Sequence, residues 1–551
     1  MDKKTTRTAL LSLMAGLMAI GFTATAHAQT AVSGDGTFNR IENDRFWMAA
    51  DSVPIYSQGG GIFRFKDPAT GQTKYYWYGV RYEEAERYRL DPSVTPPTVR
   101  FQSVTCYSST DLVNWHFEGD VLDRDELREN VGNRTGWVGR MGVAYLKQTG
   151  QYAMFIQHSA RSSESAVLIA VSDSPTGRFK WHRWISMYDM IGTHNTGDQT
   201  VFTDEDTGKS YLIYSYGRGR NRIYVSEIGI RDGQVGLLDC HQVYHGAGRE
   251  GNCMFKFRGK YYMCASDLYG WDASHAYYLV ADNIHGPYVP KDSMEVMDGC
   301  VTDFAHVTQT GFFVTVRGTK QETVVYCGDR WADFAGNGLG YNQWCPLSFN
   351  GERPFFNSLS AWELNTTTGE WRVAKGNNYV LNGSFEADRR SIPNPVKPRQ
   401  EFLRGWNTEF IKGNKVTLGN PDSLTLNYFN TREDRKHVIG EKSLNITDVT
   451  DFERRVSQQV TAMPYVDLPD GTYSLAATVC YGGEFNRLIM YAESGDEREA
   501  RNLNRGKEGQ WRRVRIKEVS VKGGRMTVGF YAKGKGGAYC RIDDVELTRV
   551  K

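Results

Sequence analysis

The chain has 551 residues, with 66 lysines and arginines against 64 aspartates and glutamates, for a net charge of +2. These charges are interspersed, which excludes the basic footprint of a nucleic-acid binder and the polybasic face of an anionic-membrane binder. Aromatic residues make up 13% of the chain, 31 Tyr and 13 Trp among them; flat apolar faces with hydrogen-bonding tips suit sugar rings, and equally a Tyr-rich sheet surface.

The sequence opens with Lys3, Lys4 and Arg7, an apolar run from Ala9 to Phe22, and Ala26-His27-Ala28 before Gln29. This pattern predicts a secretory leader over residues 1–28, too short and wrongly flanked for a membrane anchor, and hence a periplasmic or extracellular protein. No other segment is long and apolar enough to span a bilayer. The remaining ~520 residues are too many for one core and enough for two domains.

A short sentence then repeats along the chain: a turn followed by a Tyr-rich apolar strand. It reads Lys74-Tyr75-Tyr76-Trp77-Tyr78, Gly150-Gln151-Tyr152-Ala153-Met154-Phe155, Gly208-Lys209-Ser210-Tyr211-Leu212-Ile213-Tyr214, Gly259-Lys260-Tyr261-Tyr262-Met263-Cys264 and, more loosely, Glu322-Thr323-Val324-Val325-Tyr326. The first four copies are each followed at a similar offset by a second strand and turn, as in Ile169-Ala170-Val171-Ser172-Asp173-Ser174-Pro175-Thr176-Gly177. Units repeating at this period bury their apolar faces only against their neighbours. With no long apolar 3.6-residue period, five copies predict an all-β, five-bladed β-propeller over residues 29–375, its innermost strands lining a central channel. A last hairpin, Trp362–Asn365 and Gly369–Val373, is expected to close the ring.

After Gly376 the vocabulary changes, from Leu381-Asn382-Gly383-Ser384-Phe385-Glu386 to Ile542-Asp543-Asp544-Val545-Glu546-Leu547. Alternating strands separated by turn residues predict a β-sandwich over residues 376–551. Trp406, Tyr428, Tyr481 and Tyr491 either form a stacking platform there or pack into the core. The nine cysteines are scattered, without CxxC spacing or an adjoining His pair, so neither a zinc site nor a disulfide framework is expected; Cys253, Cys264, Cys327 and Cys345 read as small buried hydrophobes.

Two carboxylates stand at matched positions. Gly197-Asp198-Gln199-Thr200-Val201-Phe202 precedes the third copy of the repeat, and Arg249-Glu250-Gly251-Asn252-Cys253-Met254-Phe255 precedes the fourth. Each puts one acid just ahead of an apolar strand, as paired acid/base carboxylates require if a channel is to bring them together; singly, each would read as a turn cap. His194, His275 and His306 lie near these motifs and either bond sugar hydroxyls or pack structurally. Arg140 and Arg249 either clamp hydroxyls or pair with the two acids, and pairing would lower a carboxyl pKa, so Arg249 is expected to point away from Glu250.

These motifs, with Gly59-Gly60-Gly61-Ile62, Tyr107-Ser108-Ser109-Thr110-Asp111-Leu112-Val113-Asn114-Trp115, Gly270-Trp271 and Gly328-Asp329-Arg330-Trp331, resemble glycoside hydrolase family 43. That resemblance implies a five-bladed propeller, a general acid at Glu250, and Asp198 holding that acid and raising its pKa. The family's usual first-blade Asp is absent from Pro54-Ile55-Tyr56-Ser57-Gln58-Gly59. The chain is similar in this to the exo-β-1,3-galactanase branch, in which a fifth-blade Gln, here Gln309, is assigned to the water. A neutral amide orients water or acts as an uncommon tautomer. Glu83 and Glu84 are the alternative source of a carboxylate, and the family's galactanases carry Glu-Arg-Pro where this chain has Gly139-Arg140-Met141. Sugar contacts are expected from Gln58, His194, Arg249, Trp271, His275 and His306.

The C-terminal segment resembles the jelly-roll carbohydrate-binding modules of exported polysaccharide-degrading enzymes. Together these resemblances imply an exported, monomeric, exo-acting, inverting hydrolase. It would release terminal galactofuranose or arabinofuranose from a polysaccharide such as arabinogalactan, without a cofactor. The alternatives are an exo-β-1,3-galactanase and a non-catalytic glycan-binding protein. A structural calcium ion in the channel, water-bridged to His306, is the one metal that the resemblance offers.

Overall fold

The computed structural model describes residues 36–551 except 95, 97–98, 132–136, 271, 290–292, 333–336, 388–401, 419–424 and 439. The predicted leader and Trp271 lie outside the described residues. Among the described residues no helix is long and apolar enough to cross a membrane.

Five antiparallel sheets stand side by side, each built from one contiguous stretch of chain. Their innermost strands are Gln58–Lys66, Trp137–Leu146, Thr196–Asp204, Glu250–Phe257 and Gln309–Arg317. The five copies of the aromatic sentence are the second strands, Thr73–Tyr82, Gln151–Ser159, Lys209–Tyr216, Lys260–Ser266 and Glu322–Ala332. These second strands are buried on both faces, because each blade packs between two others; hence their near-continuous apolar runs. The protein is a five-bladed β-propeller followed by a β-sandwich.

Ring closure departs from the sequence expectation. The hairpin of Ala361–Leu364 and Trp371–Val373 joins no blade; it pairs with the N-terminal strand Asn39–Glu42 in a separate three-stranded sheet. Blades one and five meet by side-chain packing instead. Trp77 of blade one and Trp344 of blade five lie 5.0 Å apart, with Trp47 at 4.9 Å from Trp344 and Trp115 at 5.2 Å from Trp77. The indole of Trp362 donates to the Trp344 carbonyl at 2.8 Å, tying the extra sheet to the seam. Large aromatics bring both area and edge-to-face attraction, so a ring with no exchanged strand still closes firmly.

Two five-stranded sheets form the sandwich, in spatial order Asn407–Lys412, Phe452–Thr461, Arg525–Gly534, Phe485–Ser494, Glu497–Asn502 and Asn427–Phe429, Lys442–Thr447, Tyr539–Arg549, Gly471–Gly482, Arg512–Val521. Trp406, Tyr481 and Tyr491 are buried, so they belong to the core and not to a stacking platform. The sandwich rests on loops of blades four and five: Lys442 lies 3.7 Å from Asp272, and the Arg404 guanidinium sits 4.8 Å over the Phe304 ring. All nine cysteines are free thiols, and all but Cys240 are buried.

Candidate active site

Every innermost strand breaks its register near its site end. The breaks fall between Gln58 and Gly61, Val138 and Met141, Thr196 and Gln199, Glu250 and Cys253, and Thr310 and Phe312. Such a bulge bends the strand and re-aims a side chain that strict alternation would send elsewhere. Each interval contains or adjoins a glycine, and Gly251 shows why. It has φ of +60°, and a Cβ there would lie 2.3 Å from the Thr310 carbonyl oxygen of blade five. Only glycine tolerates both the left-handed backbone and the close approach. Its N–H donates to Asp198 Oδ2 at 2.8 Å, so the bulge also orients the blade-three acid.

The five strands thereby present one polar residue each to the channel: Gln58, Arg140, Asp198, Glu250 and Gln309, all of them buried. Arg140 is the hub. Its Nε lies 2.9 Å from Asp198 Oδ2, Nη1 lies 3.2 Å from Asp329 Oδ2, and Nη2 donates to Gln309 Oε1 at 2.6 Å. Its planar fork of fixed donors, with one nitrogen for each partner, bridges all three. Arg220, on the blade-three loop, adds a second cation, 2.7 Å from Glu250 Oε2 and 3.4 Å from Asp198 Oδ1. Gln309 completes the ring: its amide nitrogen donates to Glu250 Oε1 at 2.8 Å, and its oxygen also accepts from the Trp331 indole at 2.8 Å.

Three buried carboxyls face two guanidiniums, so the cluster favours retaining a proton. Burial pushes the Glu250 carboxyl up to about 7, and the neighbouring Asp198 charge adds to that, against the opposing pull of Arg220 and Arg140. Asp198 is equally buried, but Arg220, Arg140 and the Gly251 N–H outweigh its desolvation and hold it below the usual carboxylate range. Burial raises Asp329 despite its bond to Arg140. The outcome is an ionised Asp198 beside a Glu250 that carries a proton near neutrality, the split environment that separates an acid from its modulator.

The remaining predicted residues divide. Neither amide atom of Gln58 has a hydrogen-bond partner among the described residues, although both are buried. Arg249 turns away as expected, bonding Asp267 at 2.6 Å and lying 4.1 Å over the Tyr277 ring, so it is not beside Glu250. His194 stacks on Tyr188 at 5.0 Å and bonds Ser186, not the carboxylates. His275 packs 4.5 Å from Phe304. His306 bonds Ser358 Oγ at 2.5 Å and, with Asp303, lines a cavity of about 490 Å³ between propeller and sandwich whose lining includes none of the five channel residues. Glu83 is paired with Arg100 and Arg124, and Glu84 with Arg100, and neither bonds a member of the channel cluster among the described residues.

Sequence reasoning missed Arg220 and Asp329 as members of the site. One signal was available for Arg140: a polar residue beside glycine at the head of an innermost strand, the same signature as Gly197-Asp198 and Glu250-Gly251. Asp329 sits across the ladder from Gln309 in the adjoining strand, and Arg220 on a loop, so neither carries such a mark.

Residues 71–340, spanning most of this propeller and all five of its polar channel positions but Gln58, match the family model of glycosyl hydrolases family 43. The propeller is a family 43 domain. No curated protein sequence matches significantly. Among solved structures, an exo-β-1,3-galactanase from Phanerochaete chrysosporium with galactose is similar at 18% identity and a TM-score of 0.53, covering 92% of this chain and 100% of that one. Another, from Clostridium thermocellum, is similar at 17% identity and a TM-score of 0.51, covering 93% of this chain and 100% of that one. These likenesses extend the shared fold over both domains. The family 43 chain is a glycoside hydrolase.

Proposed function

We propose that this family 43 hydrolase is an exported, exo-acting, inverting enzyme that removes terminal galactose from β-1,3-linked galactan chains. The observation that carries the chemistry is the buried Glu250 carboxyl, protonated near neutrality and held between Gln309 and Arg220 beside an ionised Asp198. Glu250 donates its proton to the leaving glycosidic oxygen. Asp198 resists ionisation of Glu250 by its own charge. Both acids contact one guanidinium, Arg220, so they stand on the same side of the site and cannot flank a sugar from opposite faces as acid and base.

Asp329, the third carboxyl, has its two oxygens engaged by Arg140 and the Gly59 N–H, so the water relies on neutral groups. Gln309 has both ends of its amide committed, and its oxygen accepts from two donors, so a tautomer bearing a hydroxyl hydrogen on that oxygen would lose those bonds. Gln309 positions Glu250. Gln58, on the blade where most family members carry the base, has its amide free to hold water or a sugar hydroxyl.

The choice of galactan over the furanosides first expected draws support from the two galactanases, which share this two-domain arrangement along their whole length. The test is product analysis on β-1,3-galactotriose and on aryl arabinofuranosides and galactofuranosides, with the anomer released read by proton NMR. Stepwise release of inverted galactose from the trisaccharide supports the reading. Turnover confined to the furanosides would return the assignment to a furanosidase, and silence on all of them would leave glycan binding.

A further inference from the structure

On the outer edge of the propeller, far along the blades from the channel strands, three metal-ligating side chains from two blades converge. Asp239 and His241 stand at the start of the last strand of blade three, His241–His245, and His285 lies in the turn after the third strand of blade four, Tyr277–Ala281. Asp239 Oδ2 lies 3.2 Å from His241 Nε2 and 3.9 Å from His285 Nε2, and the three ligand atoms all fall within 4.8 Å of one another. The two imidazoles stack with centroids 4.0 Å apart. His285 Nε2 is shut off from solvent with no hydrogen-bond partner among the described residues.

The supporting contacts are those of a ligand set. Asp239 Oδ1 accepts from the Glu227 N–H at 2.7 Å, which fixes the carboxylate and leaves Oδ2 for the histidines. Asn283 Oδ1 accepts from the His285 backbone N–H at 3.0 Å and shapes the turn that presents the ring. A ligating carboxylate held by such an outer hydrogen bond, as Asp239 is by the Glu227 N–H, is a usual support of a metal centre. Bond lengths of about 2.0–2.2 Å in a tetrahedron require ligand atoms about 3.3–3.6 Å apart. The observed separations bracket that value, and the His241 ring, exposed on one side, is able to turn.

We propose that Asp239, His241 and His285 bind a late first-row divalent cation, Zn²⁺ being the one to test, as a clip between blades three and four. Two imidazoles and one carboxylate suit zinc, cobalt, nickel or copper; calcium and magnesium prefer all-oxygen cages. The site was invisible to cysteine and histidine spacing because His285 is distant in sequence from His241 and the blades bring them together. Its two halves belong to the blades that carry Asp198 and Arg220 on one side and Glu250 on the other, so the clip would hold the register of those blades.

The experiment titrates the full chain, stripped with EDTA and desalted, with zinc chloride by isothermal calorimetry. Cobalt(II) absorption serves as the second readout. One equivalent should bind the wild type and raise its thermal midpoint, and His241→Gln or Asp239→Asn should weaken that binding at least 100-fold. His245→Gln, on the same strand, should leave it intact. His241→Gln changes a surface ring, and circular dichroism verifies its fold. Absence of a stoichiometric site in the wild type, or binding unchanged in both ligand variants, would overturn the proposal.

Discussion

Replacing Arg220 by Met should raise the pH at which activity is lost. The guanidinium lies 2.7 Å from Glu250 and 3.4 Å from Asp198, and among the described residues it is the one cation in direct contact with the acid. Opposite charges at such range shift a carboxyl by about 1–3 units. The Arg220 side chain is 34% exposed, so screening places the effect near the low end, on the order of one unit or about 1.4 kcal/mol. The sign follows from the active form. Glu250 works protonated, so kcat/KM falls as pH rises through its value of about 7. Removing the cation destabilises the carboxylate, and Asp198, no longer neutralised by Arg220, repels it more. Both effects move the alkaline limb upward. Methionine keeps most of the stem length, so packing is largely preserved. The assay is the pH profile of kcat/KM for galactose release from β-1,3-galactobiose, which reports the free enzyme. Its absolute level should drop as well, but the limb is the readout. An unmoved limb, or one shifted to lower pH, would refute the assignment of Glu250 as the titrating acid.

Other consequences follow from the same contacts. Arg140→Met leaves Asp198 and Asp329 buried without their shared partner, which should cost about 3–5 kcal/mol in urea unfolding and abolish turnover. Gly251→Ala forces a Cβ against the Thr310 carbonyl on a left-handed backbone and disturbs the bond to Asp198, so kcat and the denaturation midpoint should fall together. Trp344→Ala empties the seam between blades one and five and should cost about 3–5 kcal/mol, read by the same unfolding assay. With every thiol free and only Cys240 partly exposed, dithiothreitol should leave the melting temperature unchanged, and a thiol reagent should label the native protein far less than the denatured one.

The architecture was legible because it is written locally and repeatedly. Each second strand is buried on both faces and must spell an apolar, aromatic run, which is how Tyr75–Tyr78 and Tyr261–Cys264 announce a blade. Asp198, Glu250, Gln309 and Gln58 were legible for a related reason: each stands at the head of an innermost strand, and the fold makes such positions converge. What the sequence hid is what depends on partners. An apolar hairpin such as Trp362–Val373 does not declare which strand it will pair with, and here the N-terminal strand captured it. Arg220 and Asp329 reach the site from a loop and from a second strand, where no position rule applies. His306 and His275 were placed near the site by their numbering, but His306 belongs to the seam with the sandwich and His275 packs against Phe304 of that same region.

The central claim is that Glu250 is the acid, and Glu250→Gln tests it most directly. On β-1,3-galactotriose, whose leaving group needs a proton, kcat should fall by about 10²–10⁴; on an aryl galactoside with a good leaving group the loss should be smaller, and the limb near pH 7 should vanish. The stability of the variant gives a second reading of the same proton. A carboxyl raised from its ordinary 4.5 to about 7 binds its proton more tightly in the folded state, so wild-type stability declines as pH rises through that window. Glu250→Gln, which does not titrate, should gain stability relative to the wild type over the same range. Turnover of the trisaccharide within a few-fold of wild type, with the alkaline limb intact, would contradict the account.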